Sequence, residues 1–121
     1  MTRRGVAIAG LAAAAWMLGG CHSNRIVATV ENRTGGAITL LEVDYPSASF
    51  GVDALPDGAN YPYRFKVQNS GIVKVQYTAA DGRTIRQITG PELREGQQGT
   101  LTIILRPDGT AAFQPDLSPG N

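Results

Sequence analysis

From residue 25 onward, apolar and polar positions alternate in short runs rich in β-branched and aromatic residues. Glycine, proline, aspartate and asparagine separate the runs every eight to twelve residues or so, about the spacing typical of all-β sandwiches. No part of this region keeps a helical period of apolar positions over three turns. The pattern predicts strands at Arg25–Asn32, Ala37–Tyr45, Ala48–Ala54, Tyr61–Gln68, Ile72–Ala79, Thr84–Thr89, Gly99–Arg106 and Thr110–Gln114.

These strands predict an all-β fold, a small antiparallel Greek-key β-sandwich of seven or eight strands over residues 25–114. A small closed barrel is the alternative fold. Residues 115–121 are expected to form a frayed C-terminal tail. Alternation places the following residues in the core: Ile26, Val30, Phe65, Val67, Val73, Val75, Tyr77, Leu101, Ile103 and Phe113.

Three turns end in a glycine that follows a polar or acidic residue: NSG at 69–71, ADG at 80–82 and PDG at 107–109. This chemistry favours three-residue hairpin loops that close with a left-handed glycine. Such a loop at 69–71 would set Phe65 opposite Val75 on the buried face and Lys66 opposite Lys74 on the exposed face. The prediction is therefore a hairpin between the two strands that flank this turn.

A three-residue loop at 80–82 would set Ile85 opposite Tyr77 in the core and turn Arg86 outwards. A two-residue loop would instead place that arginine on the core face, where an unpaired charge is costly. Together the two hairpins predict a basic surface as a candidate contact for anionic material, formed by Arg64, Lys66, Lys74 and Arg86. The ordinary alternative is that these side chains keep an exposed sheet soluble.

The PDG at 56–58 does not suit a hairpin, because the apolar faces of its flanking strands would not match. We expect a crossover between two sheets there. The stretch LPDGANYPYRF resembles the strand-Pro-Gly-strand crossing of small immunoglobulin-like and transthyretin-like domains. This resemblance also implies a β-sandwich.

The chain begins like a targeting segment. Arg3 and Arg4 precede an uncharged apolar stretch over residues 5–18, which is shorter than the about 20 residues that a membrane-spanning helix needs. The stretch ends in Leu18-Gly19-Gly20-Cys21. This ending resembles the lipobox of bacterial lipoproteins, in which the cysteine thiol accepts a diacylglyceryl group.

The resemblance implies that residues 1–20 are a removed signal peptide and that Cys21 carries a lipid anchor to the membrane. Residues 21–24 would be a short tether, and the protein would reside in the bacterial cell envelope. In Gram-negative lipoproteins an aspartate after the cysteine favours the inner membrane. His22 therefore favours the outer membrane, facing the periplasm.

Charge and cysteine content narrow the function further. Of the eleven basic residues, Arg3 and Arg4 precede Cys21, whereas all ten acidic residues follow it. The mature chain is thus close to neutral, which gives no reason to expect a nucleic-acid partner. Because the single cysteine is assigned to the lipid, the fold must be stable without a disulfide.

The mature domain offers little for catalysis. Its only cysteine and histidine lie at its extreme N-terminus, which excludes the usual nucleophile–base pairs and zinc sites within the domain. The carboxylate pairs Asp53/Asp57 and Glu92/Glu95 could bind a hard cation weakly or serve acid/base chemistry. They lie in turn-rich segments, however, where acidic side chains ordinarily serve solubility. The sequence therefore predicts no enzyme, no cofactor and no metal site.

The expected function is a membrane-anchored structural or protein-interaction module close to the bilayer, with an envelope protein as its partner. The alternative is a binding module for an anionic envelope polymer or a small solute.

Overall fold

The computed structural model describes residues 24–119, which form two four-stranded sheets in the orders β4–β1–β7–β8 and β3–β2–β5–β6. This arrangement confirms the predicted all-β sandwich. The predicted signal peptide, Cys21 and most of the tether lie outside the described residues. The strands are β1 (Ile26–Asn32), β2 (Ile38–Tyr45), β3 (Ala48–Leu55), β4 (Asn60–Phe65), β5 (Gly71–Thr78), β6 (Ile85–Leu93), β7 (Gln98–Leu105) and β8 (Ala111–Ser118).

The core between the sheets contains all ten residues that the alternation pattern placed there. Nine of those ten side chains are buried, and Phe113 is half-buried against them. The core also takes in residues that the prediction did not name: Ala28, Ile38, Leu41, Val43, Phe50, Leu55, Leu93 and Leu105. Two adjoining sheets thus bury one face each, as period-two alternation requires.

The predicted hairpin across residues 69–71 is wrong. β4 pairs with β1, with Phe65 opposite Ile26, whereas β5 pairs with β2 and β6 in the other sheet. Residues 66–70 therefore carry the chain from one sheet to the other. Phe65 and Val75 are nevertheless both buried, because alternation decides which side a residue faces and not which strand lies beside it.

The first sheet is not wholly antiparallel, because β1 runs parallel to β7, with Val30 beside Ile103. β1 and β2 also lie in different sheets. In constant-type immunoglobulin domains, by contrast, the first two strands share a sheet. The predicted crossover at 56–58 is confirmed, since β3 and β4 belong to different sheets.

The turn between β5 and β6 also differs from the prediction. Its loop has four residues, 80–83, closed by a hydrogen bond from the Ala79 N–H to the Thr84 carbonyl of 2.8 Å. Tyr77 consequently lies opposite Arg86, and Ile85 is 61% exposed. An inward arginine is tolerated because β6 is an edge strand, so the long side chain reaches solvent at the margin of the sandwich.

The predicted frayed tail is wrong for residues 115–118, which continue β8 along β7. Pro115 lacks an N–H, but an edge strand tolerates this residue. Gly99 has a φ of +130°, and a Cβ there would collide with the Asp116 carbonyl. The close approach of β8 thus depends on a glycine that the turn pattern did not single out.

The side chain of Asn32 ties together two of the connections that cross between the sheets. Its amide nitrogen donates to the carbonyls of Gly36 (2.9 Å), Leu55 (3.0 Å) and Pro56 (3.1 Å). Its amide oxygen accepts from the Thr34 N–H (3.1 Å) and hydroxyl (2.7 Å). Asn32 is fully buried, so its side chain serves the fold.

Asn32→Ala is expected to lower the free energy of unfolding by about 2–4 kcal/mol, because it leaves buried carbonyls without a donor. For a domain of this size the melting temperature should fall by roughly 10 °C or more. Asn60→Ala is the matched control, since that side chain is exposed on β4. Equal melting temperatures for the two variants would contradict a stabilising role for the Asn32 amide.

Candidate functional site

Strand directions give the sandwich two chemically different ends. The N-terminal end contains the start of β1 and the connections 46–47, 66–70 and 94–97. The far end contains the connections 33–37, 56–59, 79–84 and 106–110. Any group attached to the chain just before residue 24 therefore enters at the N-terminal end.

Three basic residues converge at the N-terminal end and form what we call the basic cleft: Arg25, Arg64 and Lys66. Continuing the β1–β4 register by one residue sets Arg25 opposite Lys66. The cleft is a shallow depression of about 270 Å³, and none of its eight lining residues is acidic. Among the described residues, the one ion pair joins Arg33 to Glu31 at 3.3 Å, so these three charges have no ionic partner there.

The structure brings together only two of the four residues of the predicted basic surface. Arg64 and Lys66 both line the cleft, but Lys74 lies on the outer face of the second sheet, paired in register with Asp44. Arg86 lies at the far end, beside the β7–β8 turn. The separation follows from the placement of β4 and β5 in different sheets.

Aromatic side chains form one wall of the cleft and close the adjoining side of the sandwich. The rings of Tyr45 and Phe65 stack with centroids 4.0 Å apart, and those of Phe50 and Tyr63 with centroids 4.5 Å apart. Burial raises the pKa of Tyr45, and the neighbouring Tyr63 raises it further. Tyr45 therefore stays neutral at physiological pH, and ring stacking at these distances stabilises this side of the sandwich.

The far end holds a second concavity, the far-end cavity, of about 260 Å³. Its charged lining residues are Arg86, Arg106 and Asp81. The Asp81 carboxylate accepts hydrogen bonds from the Thr84 hydroxyl (2.6 Å) and from the backbone N–H groups of Arg83 and Thr84 (both 2.8 Å). These bonds, that from the Thr84 hydroxyl foremost, lower the pKa of Asp81 to about 2.

Within residues 24–119, no three His, Cys, Asp or Glu side chains come together in a way that could hold a metal ion. Helices long and apolar enough to cross a membrane are likewise not found in that part of the chain. The Asp57 carboxylate accepts a hydrogen bond of 3.1 Å from the Gly35 N–H, so it helps to shape the far-end loops.

No family model matches the sequence, and neither the curated proteins nor the solved structures contain a significant match.

The basic cleft predicts salt-dependent binding to anionic vesicles. Replacing Arg25, Arg64 and Lys66 with glutamine should weaken partitioning by roughly two orders of magnitude, since each basic residue contributes about 1 kcal/mol near an anionic surface. The measurement is co-sedimentation of an unlipidated chain starting at His22 with phosphatidylglycerol vesicles at low and high salt.

The control has the same change in charge at the far end: Arg83→Gln, Arg86→Gln and Arg106→Gln. It should bind nearly as well as the unmodified chain. If both triple variants lose affinity equally, net charge and not the cleft controls the binding.

Proposed function

We propose that this protein is a lipid-anchored, non-catalytic module of the bacterial cell envelope that works as a structural or protein-interaction domain close to the bilayer. Cys21 carries the anchor, and the N-terminal end of the sandwich faces the membrane. The outer membrane, facing the periplasm, is the proposed location. The partner is an envelope protein that the module meets at the membrane surface.

The proposal rests on one observation: β1 is paired with β4 on one side and β7 on the other from its first residue onward. Ile26 lies between Phe65 of β4 and Gly99 of β7, and the Gly99 N–H donates to the Arg25 carbonyl at 3.0 Å. No part of β1 is therefore left to lengthen the tether. The four residue-to-residue steps from Cys21 to Arg25 extend to at most about 14 Å, so an anchored domain stays beside the lipid.

The basic cleft supports the same orientation. Its cations lie at the end of the sandwich where the tether attaches, and their attraction to an anionic surface acts only within about 8–10 Å at physiological salt. An anchor at Cys21 would keep Arg25 within about 14 Å of the lipid, which lets the cations approach the surface to within this distance. Anionic headgroups would then restrict how the domain tilts, which presents a constant surface to a partner.

One observation favours a second function, binding of an anionic envelope polymer. Tyr63 is 38% exposed while its ring is stacked on Phe50, and Arg64 follows it on the same strand. Consecutive strand residues face opposite ways, but Tyr63 neighbours Tyr45, which lines the basic cleft. An exposed aromatic ring close to this cleft suits a polymer that carries both sugar rings and negative charges. Co-sedimentation with peptidoglycan, with Tyr63→Ala as the variant, distinguishes this function from headgroup contact.

Insertion of a twenty-residue Gly/Ser linker after Asn24 tests the need for proximity. The insertion lengthens the reach severalfold, so crosslinking in cells to the membrane-surface partner should fall while folding and lipidation persist. The measurement is quantitative crosslinking with mass spectrometry, compared with the protein that has the natural tether.

Cys21→Ser is the companion variant. It should accumulate as an unprocessed precursor of higher mass that lacks the lipid. Equal processing of the two forms would refute the anchor, whereas an unchanged crosslinking pattern after linker insertion would refute only the importance of the short tether.

A further inference from the structure

The far-end cavity combines features that none of the roles above requires. It is lined by two arginines, a tyrosine, and small or apolar residues that include Ile38, Ala79 and Pro107. It lies at the opposite end of the sandwich from the start of β1. Its occupant would therefore come from the side that faces away from the anchor.

Arg86 occupies an inward-facing position opposite the buried Tyr77. Its guanidinium passes over Gly109, where an added Cβ would lie only 2.7 Å from the Arg86 Cζ. Gly109 has a φ of +87° and no side chain, so the β7–β8 turn leaves room for the guanidinium. Within the described residues neither Arg86 nor Arg106 belongs to an ion pair.

Tyr77 contributes a hydroxyl to the same cavity. The residue is 2% exposed, and burial raises its pKa, while the nearby Arg86 lowers it and Asp108 raises it. Throughout residues 24–119, no buried side-chain oxygen or nitrogen lacks a hydrogen-bond partner. Tyr77 lines the cavity, and no hydrogen bond among the described residues uses its hydroxyl, so this hydroxyl is the donor that the residue can offer to an occupant.

The carboxylates near the cavity are already engaged within their own loops. Both Asp81 oxygens accept hydrogen bonds from residues of the β5–β6 turn. Asp108 accepts from the Thr110 N–H at 3.0 Å and from the Thr110 hydroxyl at 2.6 Å. Neither arginine is paired with a carboxylate, so both have donor capacity left for a ligand, and the two of them outnumber the one carboxylate, Asp81, that lines the cavity.

We propose that the far-end cavity binds a carboxylate attached to a short apolar body. Arg86 and Arg106 provide the charged donors, Tyr77 adds a hydroxyl donor, and the apolar lining takes the carbon chain. A guanidinium matches the two oxygens of a carboxylate. The apolar lining favours an organic acid over inorganic phosphate. The carboxylate belongs either to a free small acid or to the C-terminus of a peptide.

The test uses the full chain in a non-ionic detergent and follows the backbone amide signals of Gly35, Gly36 and Gly109 by NMR. The probes are isovalerate, as a free acid, and N-acetyl-dialanine, as a peptide C-terminus. Their carboxamides are the neutral counterparts, and inorganic phosphate is the third anion. Probes of this size should bind with dissociation constants on the order of millimolar.

Arg86→Gln and Tyr77→Phe should each weaken binding by about tenfold, the loss expected for a hydrogen bond to a charged group. Tyr77→Phe retains the buried ring, so its effect is separable from a loss of folding. Arg83→Gln is the matched control, because this arginine lies in the loop that precedes β6 but does not line the cavity.

Shifts with the acids that are absent with the carboxamides support the proposal, and the acid that binds more tightly identifies the source of the carboxylate. Equal binding of the carboxamides, binding of phosphate as tight as that of the acids, or an unchanged affinity in Arg86→Gln would overturn it. The proposal does not depend on lipidation, so it stands or falls separately from the membrane anchor.

Discussion

The hydrogen bonds of one buried amide hold the far end of the sandwich together. Asn32 ends the central strand β1, and its side chain contacts both the β1–β2 and the β3–β4 connections. Its backbone adds bonds from its own N–H to the Ala59 carbonyl and from the Gly58 N–H to its own carbonyl. Because both connections cross between the sheets, these bonds fix how the sheets are joined at this end. An amide suits this position because it can donate and accept at once.

The position of β1 extends this constraint to the opposite end. The strand pairs on both sides along its length, so its beginning is held as firmly as its end. The basic cleft depends on this arrangement, since the β1–β4 register brings Arg25 to Lys66. The strand that follows the predicted anchor therefore also positions the basic side chains of the cleft.

The arginines of the basic cleft and of the far-end cavity differ in how they reach solvent. At the N-terminal end the basic side chains lie at exposed positions, where their self-repulsion is screened by water. At the far end Arg86 takes a position that faces the core, and an edge strand together with Gly109 lets it reach the surface. The cost of an inward charge is thus relieved by geometry and not by an ion pair. This placement distinguishes the far-end cavity from ordinary loop surface.

The sequence by itself determined the fold class, a count of seven or eight strands and the inward direction of ten core residues. Alternation directs Phe65, Val75 and Ile103 towards the core regardless of which strand pairs with theirs, because side-chain direction depends only on position within a strand. Which strands pair with one another was decided by the tertiary structure alone. Turn chemistry predicted a hairpin at 69–71. The same side chains reach the core, however, when β4 and β5 lie in different sheets. The basic cleft likewise could not be predicted, since Arg25 and Lys66 meet only through a pairing between distant segments, which leaves no local trace in the sequence.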